Sequence, residues 1–156
     1  IGAGEVARYV ARIALMNGFS VTLCEPREHF LKGWHEPGVE IRESLPDDLV
    51  REAFSDAYCA ILALGHDPRI DDMGLLAALE SEAFYIGAMG SQRTAAQRRE
   101  RLHQLGVTDS RMGRLHAPIG FHIGSKSPPE IAVAAMAQVL AERHRLLRRM
   151  IRSHPQ

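Results

Sequence analysis

The sequence predicts a Rossmann-like α/β domain, a three-layer αβα sandwich on a mainly parallel sheet, and three observations predict it. A glycine turn, Gly2-x-Gly4-x-x-Ala7, opens the chain directly ahead of a helix-period stretch. Strand-length apolar segments then alternate with helix-period segments along the whole length. Residues 58–64 (YCAILAL) form an uninterrupted apolar run, the pattern of a strand covered on both faces. Right-handed crossovers between such strands give an expected strand order of 3-2-1-4-5-6.

Taken in order, Val6, Val10, Ile13 and Ala14 fall on one face of a helix over 5–17, and Gly18 stops it. Residues 20–25 (SVTLCE) read as a short strand, followed by a loop rich in Gly, Pro and His and a weak strand over 39–42. Leu49, Val50, Ala53 and Phe54 mark a short helix after Pro46. The central strand over 58–64 leads through Gly65-His66-Asp67-Pro68 into a helix with Ile70, Met73, Leu76 and Ala77 on its inner face. A strand over 83–89, a charged helix ended by Gly106 and a strand over 114–117 continue the alternation. Ser127-Pro128-Pro129-Glu130 combines a capping serine, first-turn prolines and a glutamate three residues on, so the last helix starts there. It turns Ala132, Met136, Val139 and Leu140 inward and runs to about 150.

One domain over 1–156 accounts for the length, and the opening glycines imply a first strand that starts upstream of Ile1. No apolar run reaches the roughly 20 residues that span a bilayer, so no membrane role and a cytoplasmic location are expected. Nineteen bases balance nineteen acids, which gives no overall attraction to nucleic acid. Arg143, Arg145, Arg148, Arg149 and Arg152 make the final helix locally basic, the ordinary pattern of a solvated face. Cys24 and Cys59 fall in apolar runs and read as buried thiols, with a strand expected between them. No His-x-x-x-His or Cys-x-x-Cys spacing supports a metal site.

Three loops carry the candidate chemistry. In the first, Gly2 and Gly4 let backbone amides approach a pyrophosphate, and Glu25, twenty-one residues after Gly4, is placed to accept from ribose hydroxyls. Glu5 adds an unfavourable negative charge there, which Arg27 is positioned to offset. The second loop brings Gly90, Ser91 and Arg93 to a helix start, and the third brings Gly124, Ser125 and Lys126 to another, so both present anion-binding groups. His66 and Asp67 are the candidate catalytic pair, with Asp67 also a helix cap. Read from these residues alone, an NAD(P)-dependent oxidoreductase or nucleotide-sensing domain stays open beside other phosphate-bearing ligands.

IGAGEVA (residues 1–7) with CEPR (24–27), GHDP (65–68), YIGAMGS (85–91), HAPIG (116–120) and IGSKSPPEIA (123–132) together resemble the C-terminal Rossmann domain of the XdhC/CoxI family. These proteins are accessory factors of molybdenum hydroxylases such as xanthine dehydrogenase. The resemblance implies binding of molybdenum cofactor, protection of it during sulfuration, and insertion into an apo-hydroxylase, with a cysteine desulfurase as a further partner and a homodimer as a further state. It also implies a separate N-terminal domain that these residues do not include. Glu5 stands where the family is expected to have His, and Glu25 where it more usually has Asp.

Overall fold

The computed structural model describes residues 1–153. In chain order the elements are α1 (Glu5–Met16), β1 (Val21–Cys24), α2 (Glu28–Leu31), β2 (Val39–Arg42), α3 (Pro46–Ala53), β3 (Ala60–Ala63), α4 (Pro68–Glu80), β4 (Tyr85–Ala88), α5 (Gln92–Gln104), α6 (Asp109–Met112), β5 (Leu115–His116) and α7 (Pro128–Ser153). All pairings are parallel, as the alternation of strands with crossover helices requires.

The sheet consists of two hydrogen-bonded runs, β1-β2 and β3-β4-β5. The expected six-strand order is therefore not present as one continuous ladder. Ile1 and Gly2 lie between the runs. The Ile1 amino group donates to Leu62 O and Leu64 N donates to Ile1 O, both at 2.8 Å, while Gly2 N donates to Cys24 O at 2.9 Å. These bonds join the two runs without making a ladder of their own. Gly2 has φ +95°, and a Cβ on it would stand 2.6 Å from the Gly65 backbone, so only glycine allows the two chains to meet here.

Two cores cover the two faces. On one, α1 packs against α7, and Val6, Val10, Ala14, Met136 and Val139 close over Leu23 and Tyr85. On the other, α3 packs on α4, and Leu75, Leu79, Leu102 and Met112 close over Ile61 and Ile86. β4 is buried at every position, which is why its sequence shows no alternation. The strands are shorter than their apolar runs predict, and α2 and α6 are single turns inside stretches read as loop and turn.

The inner face of α4 differs from the apolar pattern. Ala77 is buried as expected, but Asp71, Asp72, Leu75, Ala78 and Leu79 are buried with it, whereas Ile70, Met73 and Leu76 are half-buried. Burying two acids requires cations, and α5 supplies them. Arg98 Nε donates to Asp72 Oδ1 at 3.0 Å and Arg98 Nη2 to Asp71 Oδ2 at 3.3 Å, while Arg101 Nε donates to Asp72 Oδ2 at 2.6 Å. Arg98 Nη1 also donates to Met89 O at 3.0 Å. One buried guanidinium thus ties α4 to the end of β4.

Candidate functional site

A cleft of about 850 Å³ opens at the C-terminal ends of β3, β4 and β5, within the size range of small-molecule sites. Its lining comes from three loops: Gly65 and His66 after β3, Met89 to Gln92 with Thr94 around the start of α5, and residues 118–126 ahead of α7. The Ala117–Pro118 peptide that leads into the third loop is cis. The start of α5 therefore faces the crevice with backbone amides that have no intrahelical partner, and the loop ahead of α7 lies beside it, whereas Pro128 and Pro129 leave the first turn of α7 itself with few amides to offer.

The α5 start is built by Ser91, whose Oγ accepts from Thr94 N at 3.1 Å and lies 2.9 Å from Thr94 Oγ1. This cap satisfies one first-turn amide and leaves others for a ligand. At α7, Ser125 and Ser127 both donate to Glu130 Oε2, the latter at 3.0 Å, and Ser127 N donates to Ser125 Oγ at 3.1 Å. Those hydroxyl bonds hold the Glu130 carboxyl below its ordinary range. A carboxylate thus already occupies the serine hydroxyls at this helix start, and an entering anion meets Lys126, exposed on the same loop.

Of the residues expected from sequence, His66, Gly90, Ser91, Gly124, Ser125 and Lys126 line this cleft. Arg93 is exposed on α5 and does not. Gly2, Gly4, Glu25 and Arg27 form a separate group across Gly65, at the edge of β1. There Glu25, 1% exposed, accepts four hydrogen bonds: Oε1 from Arg27 N and Nε, Oε2 from Arg27 Nη2 and Ala3 N. A carboxylate has about four such acceptor directions, so none is left for a ribose. Burial pushes this carboxyl up, and the Arg27 bonds more than reverse it, so its pKa is lowered. Arg27 also reaches Asp67 at 3.5 Å and lies 4.1 Å from the Phe30 ring centroid.

Asp67 caps α4 by accepting from Arg69 N at 3.0 Å, and its other bonds go to the Arg69 and Arg27 guanidiniums. Bonding to Arg69 brings its pKa down to about 2, which suits a permanent anion and not a proton carrier near neutrality. His66, next to it, is exposed in the cleft. Burial raises the Cys24 thiol, and burial followed by the Asp56 contact pushes Cys59 up to about 11, so neither is primed as a thiolate. Among the described residues no group of three or more His, Cys, Asp or Glu is placed to hold a metal ion, and no helix is long and apolar enough to cross a membrane.

The cleft also contains residues that sequence reasoning did not single out. Asp71 and Arg98 form part of its floor, and Pro118, Ile119, Phe121 and Ile123 give it an apolar wall. Pro118, Ile119 and Ile123 lie within two of the recognised motifs and Phe121 between them, which was the available signal. Asp71 and Arg98 gave none, because single charged residues in helices read as solvated.

Residues 1–139 match the XdhC Rossmann domain. The chain belongs to that family. Among curated relatives, the uncharacterized Escherichia coli protein YqeB is 29% identical over 152 residues, covering 90% of this chain and 26% of the relative. The Escherichia coli molybdenum cofactor insertion chaperone PaoD is 33% identical over 88 residues, 56% of this chain and 28% of PaoD. A Bacillus subtilis protein named as a probable xanthine dehydrogenase component is 26% identical over 146 residues, 93% and 42% of the two chains. A crystal structure described as a xanthine dehydrogenase from Bacillus halodurans superposes with TM-score 0.74 at 28% identity, covering 99% of this chain and 42% of that one. The chain thus spans between about a quarter and two-fifths of the relatives it matches. The family match covers all three cleft loops, including the 118–126 segment.

Proposed function

We propose that this XdhC-family domain is the cargo-binding part of an accessory factor that takes up molybdenum cofactor, shields it during sulfuration and passes it to an apo-hydroxylase of the xanthine dehydrogenase type. The observation that carries this reading is the convergence of the α5 start, the 118–126 loop with Lys126, and His66 on one cleft of about 850 Å³. The cargo is a pterin with a phosphate. A phosphate suits free amides at the α5 start and the Lys126 ammonium, while the pterin ring suits the wall of Ile119, Phe121 and Ile123. The relative named as an insertion chaperone supports the same assignment. His66 is the residue available for proton transfer to the cargo, with Asp67 fixing the turn beside it. Sulfuration brings in a cysteine desulfurase, the work takes place in the cytoplasm, and a homodimer is the form that holds two cargo sites.

Isothermal titration with isolated molybdenum cofactor tests the reading. Saturable one-to-one binding is expected, weakened about tenfold or more by Lys126→Ala and by raised salt, since an exposed lysine acts through a screened charge. Absence of any binding refutes it.

A further inference from the structure

The floor of the cleft contains one group that the fold leaves incomplete. Asp71, on the buried face of α4, is 1% exposed and lines the cleft between Gly65 and Arg98. Its Oδ2 accepts from Arg98 Nη2, but Oδ1, which has almost no exposed surface, has no hydrogen-bond partner among the described residues. Burial raises the pKa of this carboxyl, and Arg98 and the Gly65 amide act against that without giving Oδ1 a hydrogen bond. Buried acceptors are nearly always satisfied, because one that is not forfeits the hydration it left behind. Gly65 stands over this oxygen. A Cβ there would lie 2.6 Å from Oδ1, so any other residue would block the carboxylate from the cleft side.

We propose that Asp71 is the specificity residue of the cleft: Oδ1 accepts a hydrogen bond from an N–H on the edge of a flat heterocycle, so the site selects a phosphorylated ligand whose ring carries an amino group, as 2-amino-4-oxopteridines do. The proposal rests on the cofactor reading above and adds which edge of the ring is recognised and by what atom. The surroundings divide to match. Ile119, Phe121 and Ile131 offer an apolar surface for the ring face, Gly90, Ser91 and Thr94 surround the α5 start where the phosphate goes, and Asp71 lies below both. Arg98 fixes the orientation of the acceptor, because Asp72 and Met89 O hold the guanidinium on its other sides. It also makes Asp71→Asn informative. The amide oxygen of the variant is drawn to Arg98, which turns the NH₂ to the former Oδ1 position and sets a donor against a donor.

Calorimetry on the purified protein with two probes tests this: 6-hydroxymethylpterin, and the same 4-oxopteridine lacking the 2-amino group. The pterin is expected to bind at least tenfold tighter, and Asp71→Asn to abolish that ratio. The ligand pair alone decides the matter if the variant does not fold. Equal affinity of the wild-type protein for the two rings, or an undiminished ratio in Asp71→Asn, overturns the proposal. Should molybdenum cofactor bind while the two rings are not distinguished, the proposal fails and the cofactor reading stands. Should neither ring nor cofactor bind, both fail.

Discussion

Replacing Arg98 with leucine removes the cation that two buried aspartates share. Its side chain is 3% exposed, with Asp71 at 2% and Asp72 at 9%, so water cannot take its place. Arg101 still holds Asp72 Oδ2, and the loss falls mainly on Asp71. Breaking a buried pair from one side costs about 3–5 kcal/mol, because it strands a charge in the interior. For a domain of this size that corresponds to a fall in Tm of roughly 6–20 °C. Burial already raises the Asp71 carboxyl against the pull of Arg98, and loss of Arg98 raises it further. An acid whose folded pKa lies above its unfolded value stabilises the fold below the unfolded pKa and loses that contribution as pH rises through the folded one. The penalty of Arg98→Leu is therefore largest near neutrality and shrinks as the solution is acidified and Asp71 takes a proton. Urea unfolding followed by circular dichroism at pH 7 and pH 5 measures both effects, and adding Asp71→Asn to the leucine variant should return part of the loss. A penalty below about 1 kcal/mol, or one of the same size at both pH values, refutes the account of this cluster.

Asp67→Asn should flatten acid unfolding between about pH 4 and pH 2, since a depressed carboxyl stabilises the fold above its unfolded pKa and loses that effect as pH falls through about 2. Comparing acid titrations of the two proteins by circular dichroism checks it, and the wild type should be the steeper in that window. Extending the chain by Val-Ile-Val ahead of Ile1 should raise Tm by about 5 °C or more in thermal melts. The apolar slot of about 150 Å³ between β1 and β3, lined by Val21, Leu23, Leu62 and Met136, accepts two aliphatic side chains worth about 1.5–3 kcal/mol each. Titration with NADH should give no saturable fluorescence change, because Glu25 has no acceptor direction left for a ribose; a saturable signal would show that the Arg27 clamp opens.

The alternation of elements was legible because parallel strands and crossover helices have different periods, and every strand was anticipated within a few residues. The α2 and α6 turns were not, since four-residue helices leave no periodic trace. The inner face of α4 was misplaced for a physical reason: periodicity treats acids as outward-facing, and Asp71 and Asp72 are held inward by arginines twenty-six or more residues away. Seventeen of the nineteen bases are arginine, and part of that number has a similar explanation. Arg99 donates to the carbonyls of Met112, Leu115 and Ala117, and Arg114 to those of Leu79, Ser81 and Ala83, so these guanidiniums serve as internal ties. In the site, the Gly90 and Gly124 loops and His66 could be read from turn chemistry alone. The Gly2 and Glu25 pair matched the dinucleotide pattern, but the fold commits that acid to Arg27 and the Ala3 amide.

The two halves of the sheet are stitched along their shared border by three backbone bonds through Ile1 and Gly2. Gly65 rests directly on Gly2 at the same place, so the crevice edge leans on the junction of the two runs. A side chain at Gly2 would press on Gly65 and displace the loop that lines the cleft, so a change at this seam of the sheet is felt directly at the site.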